Sequence, residues 1–437
     1  MPQHRRSRTS KYACPYFGAT GERVNKVTIQ PVAKSCCLPE ADADNSKREI
    51  AARLVAAARD MVPALRERAA HIEAGRNVPS DIISEFVKVG FFKVLQPAHY
   101  GGYELDYGAI QLDLAGEIGR GCASSAWVMT VLAAHSWMLG MLPQEAQDDV
   151  WGKNPDALIC SGVIPEKARA EPRPGGVSVS GQWRFSSGVD HAQWALLGVP
   201  LVRENTQQMI WVLVPRENFT VEDGWFVSGM RGTGSKDLTL HDVFVPEHRT
   251  ASLTDPLADR LKTPGGATIG HIYRLPLFAV FPYNICAPAL GIARGAIEHY
   301  GANMKARFAR QQGSPPPPLD PLLLRFAEAT AQVDAGAALL YHNARELNEQ
   351  MRLHHALSVE QSARYARDLA FATGLFTKAV GNIAYASGAH GLFDTNPIQR
   401  AMRDIQAVNV HIGLRWEARA SNYVRAAFGL EPNAMGK

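Results

Sequence analysis

From Ile50, apolar residues recur every three or four positions through Leu54, Ala57, Met61, Leu65 and Ile72, the spacing of one face of a long α-helix. Asn45 and Ser46, just upstream, are the residue types that cap a helix start. Pro79 suits the first turn of a second helix, which runs through Ile82, Ile83, Phe86 and Val89 and stops at Gly90. Further helices are predicted over Tyr107 to Ile118 and across Gly121 to Gln144, a run without a charged residue. These four segments make an N-terminal helical lobe that ends near residue 155.

The period then changes. Ala157 to Ile164, Gly176 to Phe185, Trp194 to Val202, Met209 to Pro215 and Leu238 to Val245 are short, rich in β-branched and aromatic residues, and separated by Gly, Pro, Asn or Asp. At least five strands with no helical pattern between them predict an antiparallel sheet or small barrel, since parallel neighbours need long crossovers that are usually helical.

After a Gly/Pro linker near Thr263 to Gly266 the helical period returns. One helix is predicted over Pro288 to Arg310, followed by a loop with four consecutive prolines at 315–318. Leu322 to Leu340 and Val359 to Phe376 carry two more helical stripes, and Asn396 with Pro397 opens a fourth helix that reaches Phe428. The chain therefore reads as an α+β protein in four parts: a leader over 1–44, an N-terminal helical domain over 45–155, a β domain over 156–265, and a C-terminal four-helix bundle over 266–437.

Charge adds a distinction within the chain. The 437 residues carry a formal +4, but residues 1–40 alone carry +5 and the rest is near −1. The basicity belongs to the leader, so the body is not a nucleic-acid binder. The six cysteines show no regular spacing and no CxxC, which fits neither a disulfide framework nor a zinc site and points to a reducing cytoplasm. The uncharged run holds Ser124, Ser125, Thr130, His135 and Ser136, so it reads as a buried helix of a soluble core, not a membrane span. No GxGxxG follows a strand, and P-loop, HExxH and GxSxG motifs are missing. No nicotinamide site and no metal centre is therefore expected.

Five polar residues stand where the pattern predicts burial: His135 in the apolar helix, Ser161 in the first strand, Ser186 and Ser187 at the end of a strand in RFSSGVDH, and His411 on the last helix. Each, read locally, is a satisfied core or cap residue. Longer strings give them a second meaning. GFFKVLQPAHYGG, GEIGRGCASSAW, GMRGTGSKDLTLHDVFVP and GLFDTNPIQRAMRDI occur in the order seen in the acyl-CoA dehydrogenase fold, and the resemblance spans residues 47 to 430. The YEGT-like string that carries a catalytic glutamate in many of those dehydrogenases is replaced: Arg403 and Asp404 are followed by QAVNVHIGL, with no acid before Glu417. WRFSSGVDHAQW, HSWMLGMLP and NPIQRAMRDIQAVNVHIGLRWE resemble instead the two-component (group D) flavin-dependent aromatic monooxygenases built on that fold.

That resemblance implies an oxygenase component that receives reduced flavin, FMNH₂ or FADH₂, from a separate NAD(P)H:flavin reductase. With O₂ as co-substrate, a C4a-hydroperoxide would then hydroxylate a small phenolic substrate at the ortho position. It implies Ser186 near flavin N5, with Ser187 able to take its place because the strand register is open. It further implies His411 beside the oxygen adduct and His135 with Ser161 holding the phenolic oxygen. Trp183 and the Arg307 and Arg310 region are candidate flavin contacts, and a homotetramer is the expected assembly. Two competing readings are an acyl-CoA dehydrogenase-like flavoenzyme oxidising a thioester or amine, and a helical scaffold that has lost its flavin.

Overall fold

The computed structural model describes residues 42–203, 206–256, 270–310 and 321–431. The chain divides at Asp42/Ala43 into two units, and the described helices and sheet belong to the second, with the first helix starting at the boundary. The expected leader up to residue 41, the Thr263–Gly266 linker and the four-proline loop lie outside the described residues.

The first amphipathic segment forms α1 (Asp42–Gly75), with Leu54, Ala58, Leu65 and Ile72 in the core. It begins three residues ahead of the predicted caps, at Asp42. In α2 (Ser80–Val89), Pro79 precedes the helix as its N-cap, not in the first turn. Gly90 closes the helix at φ 96°, its N–H returned to the carbonyls of Phe86 and Val87. After α3 (Ala109–Gly121), the uncharged run becomes α4 (Ala123–Leu139), in which every residue is buried. Its even apolarity is the mark of a helix surrounded by protein. A short α5 (Gln144–Trp151) completes this lobe.

The middle of the chain forms one sheet: β1 (Ile159–Gly162), β2 (Pro165–Arg173), β3 (Gly176–Ser186), β4 (Trp194–Arg203), β5 (Thr206–Pro215), β6 (Thr220–Glu222), β7 (Lys236–Pro246) and β8 (Thr250–Ser252). The order is β6-β7-β3-β2-β4-β5-β8, with β1 joined to β4. The sheet is mixed, which corrects the expected antiparallel one: β1 and β2 both run parallel to β4. The crossover from β1 to β4 is itself made of the antiparallel β2–β3 hairpin, so no helix is needed to reverse the chain. β2 escaped the sequence reading because PEKARAEPR is charged, contains two prolines and is largely exposed.

In the C-terminal part, the stretch Leu277–Ala309, which contains α6 (Tyr283–Ala309), is apolar enough to cross a membrane by composition, yet 83% of its most apolar window is buried inside the protein. It packs beside α7 (Pro321–Arg352) and α8 (Val359–Ser387), the latter opened by a reciprocal Ser358–Gln361 capping box. The Asn396 side chain accepts the Ile398 N–H to start α9 (Pro397–Asn409). The single helix expected from there to Phe428 is in fact two. It breaks after Asn409, makes one 3₁₀ turn over Ile412–Leu414, and resumes as α10 (Trp416–Ala427). Val408, Val410, Ile412 and Gly413 are poor helix formers, and an alternative cap is supplied by His411.

Candidate active site

Trp127, Val131 and His135 follow one another at intervals of four along α4, so they share one face of a rigid element. At the far end His135 is 3% exposed and its ring lies nearly parallel to Phe281, centroids 6.4 Å apart. Its Nδ1 sits 2.7 Å from the carbonyl oxygen of Ile159. A carbonyl only accepts, so Nδ1 carries the proton. Nε2, 2.7 Å from Ser161 Oγ, is then the acceptor of that hydroxyl's hydrogen. Burial pushes the pKa of His135 down to about 4 and keeps the imidazole neutral at physiological pH. Ser161 alternates with buried Cys160 along β1 and retains oxygen lone pairs for a further donor.

Eight residues nearer the start of α4, about 12 Å away by helical rise, Trp127 belongs to a second cluster. The end of β3 sets its shape. Phe185 takes a left-handed φ of 67°, unusual for a bulky residue, and the register with β7 slips between Trp183 and Ser186. Past this bulge Ser186 is fully buried beside the thiol of Cys160, whereas the indole Nε1–H of Trp127 donates to Ser187 Oγ at 2.9 Å. Ser187 Oγ is 2.7 Å from Ser235 Oγ, Ser235 Oγ is 2.7 Å from Thr233 Oγ1, and Thr233 donates to the carbonyl of Met230 at 2.9 Å.

The loop that carries this row of hydroxyls is held by α9. Met230 sits at φ 55° and gives its N–H to Asp404 Oδ1 at 2.6 Å, while Arg403 binds Glu73 and the carbonyl of Ser228. Gly229 lies so close to the Arg403 carbonyl that any Cβ would overlap it. Asp404 is buried, and desolvation raises its pKa to about 6.

His411 closes the second cluster from the break between α9 and α10. Its ring meets Trp127 edge to face, centroids 5.8 Å apart. Nδ1 accepts the Gly413 N–H at 3.0 Å, which places the ring proton on Nε2. That Nε2–H has no partner among the described residues. Burial, and secondly the charge of Arg419, lower the pKa of His411 to about 4, which keeps the imidazole neutral. Arg419 donates to the Gly413 carbonyl at 2.9 Å and meets no carboxylate among the described residues, and partial burial lowers its own pKa.

The structure thus joins His135 to Ser161, and His411 through Trp127 to Ser187. Trp183 is fully buried and spends its indole N–H on the Gly198 carbonyl, so it serves as a core pillar. Arg307 and Arg310 are exposed near the end of α6, about 33 Å along that helix from Ile285, the residue that adjoins Gly413. They stand apart from both clusters within one chain. Trp127, Ser235, Thr233 and Arg419 were missed. Only Trp127 left a sequence signal, its spacing of eight from His135. Among the described residues no carboxylate contacts either histidine, Glu417 is exposed, and no group of three or more His, Cys, Asp or Glu side chains is placed to hold a metal ion.

Comparison with known proteins gives this geometry a setting. Residues 47–153 match the family described as acyl-CoA dehydrogenase, N-terminal domain, and residues 283–416 match acyl-CoA dehydrogenase, C-terminal domain. The chain is similar to the flavin-dependent monooxygenase oxygenase subunit HsaA of Rhodococcus jostii (strain RHA1), 35% identical over 85% of this chain and 97% of the relative. It is 34% identical to the oxygenase component of the FADH(2)-dependent resorcinol hydroxylase of Rhizobium sp. (strain MTP-10005), over 88% and 96%. Its fold superposes on the crystal structure of the HsaA monooxygenase from M. tuberculosis with a TM-score of 0.82 and 32% identity, covering 88% of this chain and 99% of that one.

Proposed function

Because the chain belongs to the flavin-dependent monooxygenases built on the acyl-CoA dehydrogenase fold, we propose that its two clusters bind reduced flavin at the Trp127 end of α4 and a phenol at the His135 end. The protein is the oxygenase component of a two-component system that hydroxylates an aromatic compound, with a separate flavin reductase as its partner. When bound, reduced FMN or FAD would supply the two electrons that activate O₂, one atom of which would enter the ring ortho to the hydroxyl while the other leaves as water.

The donor set at the Trp127 end fits that group. The Ser187 hydroxyl would lie at N5, and the neutral His411 would present its Nε2–H to the O₂ being activated there. Arg419, which meets no carboxylate among the described residues, adds a positive charge near His411 that would suit an anionic ligand. At the other end Ser161 accepts the phenol O–H while its own hydrogen rests on His135 Nε2. His135 then takes a proton through Ser161 as attack on the ring makes the phenol more acidic. The observation that supports this reading is the fixed polarity of the Ile159–His135–Ser161 relay, which leaves an acceptor for the one group every phenol has.

Exposed apolar residues on and near α10, among them Trp416, Val424 and Phe428, suit a homotetrameric assembly. The described cysteines, Cys122, Cys160 and Cys286, are free and buried, which suits the cytoplasm. The test is anaerobic mixing with FMNH₂ or FADH₂, followed by O₂ and a panel of phenols, with mass detection of products 16 units heavier. Flavin oxidation as fast as in free solution, yielding only H₂O₂ with every phenol, would overturn the proposal.

A further inference from the structure

The row of hydroxyls beside Trp127 has a direction that its two ends dictate. An indole N–H can only donate, and a backbone carbonyl can only accept. Thr233 has one hydroxyl hydrogen, and it is given to the Met230 carbonyl. Thr233 Oγ1 must therefore accept from Ser235, whose hydrogen is then committed. Ser235 must in turn accept from Ser187, and Ser187 accepts from Trp127 Nε1–H. Every hydrogen in the chain Trp127, Ser187, Ser235, Thr233, Met230 points the same way. Ser235 is 3% exposed and Thr233 1%, so water offers neither hydroxyl an alternative partner.

Ser187, 9% exposed and the first hydroxyl of this chain, has thus spent its hydrogen and keeps only a lone pair for a ligand. We infer that Trp127, Ser235 and Thr233 are positioning residues that lock the Ser187 hydroxyl as an acceptor, so that it takes a ring N–H and discriminates against a ring nitrogen lacking one. On the reading of this site as a flavin site, that is the difference between the two redox forms: N5 of reduced flavin carries a hydrogen, and N5 of oxidised flavin is itself an acceptor. The locked hydroxyl pairs with the first and sets two lone pairs against each other in the second. The chain selects the reduced form delivered by the reductase, and it does so with no titratable side chain among its hydroxyl links.

The experiment compares binding of FMN and of anaerobic FMNH₂ to the full chain by ultrafiltration, without turnover. The wild type should bind FMNH₂ more tightly. Ser235→Ala leaves the Ser187 hydrogen without its acceptor and free to turn toward N5. Thr233→Val lets Ser235 reverse and donate to Ser187, with the same effect. Each variant should therefore bind FMN more tightly and lower the FMN/FMNH₂ Kd ratio by about fivefold. Thr233→Ser, which keeps the hydroxyl, should retain the wild-type ratio. If both disruptive variants weaken the two redox forms equally and leave the ratio unchanged, the hydroxyls are merely structural and the orientation argument is wrong. If the wild type binds neither form, nor FAD nor FADH₂, the flavin site itself is misassigned and this inference falls with it.

Discussion

Substitution of Ser161 by alanine separates recognition of the phenolic oxygen from burial of the ring. In the wild type the Ser161 hydrogen lies on His135 Nε2, 2.7 Å away, and the Ser161 oxygen stands ready for the ligand's O–H. Ser161→Ala removes that acceptor and leaves the ligand hydroxyl buried without a partner, a loss of about 1–3 kcal/mol, or roughly 5- to 150-fold in affinity. A ligand lacking the hydroxyl loses nothing. Titration of wild type and variant with 4-ethylphenol and ethylbenzene, followed by calorimetry, measures both. The wild type should prefer the phenol, and the variant should lose most of that preference while ethylbenzene binds unchanged. Equal weakening of both ligands, or an unaltered preference, would show that Ser161 does not face the phenol.

Other consequences can be tested alongside. His411→Asn preserves an acceptor for the Gly413 N–H but removes the Nε2–H donor; it should keep the thermal midpoint near that of the wild type while at least about tenfold more of the reduced flavin ends as H₂O₂, at roughly the strength of one lost transition-state donor. Buried His135 titrates at about 4, against roughly 6.5 for an exposed imidazole, so the unfolded chain takes up its proton first as pH falls. Stability should be undiminished above pH 6.5 and decline toward pH 4, by roughly 2 kcal/mol at pH 5 from this group, as read from urea midpoints. Asp404 works in the opposite sense: its pKa of about 6 lies above the ordinary carboxylate value, so its contribution is complete below pH 3.8 and lost as pH rises through 6. Asp404→Asn keeps an acceptor for the Met230 N–H and should gain stability relative to the wild type at pH 8 but not at pH 4.

The helices were legible because their apolar stripes are long and their caps explicit, as at Asn396 and Gly90. Polar β2 was not, because its partners β3 and β4 supply the order that its own residues do not encode. The break at His411 was hidden for a related reason: a helical period in Val408, Ile412 and Trp416 persists in the sequence while a side-chain cap interrupts the backbone. The site residues were visible as polar types in apolar surroundings, but their partners were not. That Ser187 joins Trp127 while Ser186 is buried with no hydrogen-bond partner among the described residues goes with the left-handed Phe185, and a single-residue bulge of that kind has no composition signal in a bulky aromatic.

The burial of α4 on every side has an evolutionary corollary. Because Trp127 and His135 are fixed on one rod, an insertion of a single residue between them would swing one end by about 100° relative to the other and lengthen the gap by about 1.5 Å. Lineages of this enzyme should therefore tolerate length changes in the loops and at the surface of β2 while holding the eight-residue interval constant. New substrates would be acquired by exchanging the side chain at Val131, midway along the rod, or those facing it, and not by respacing its ends.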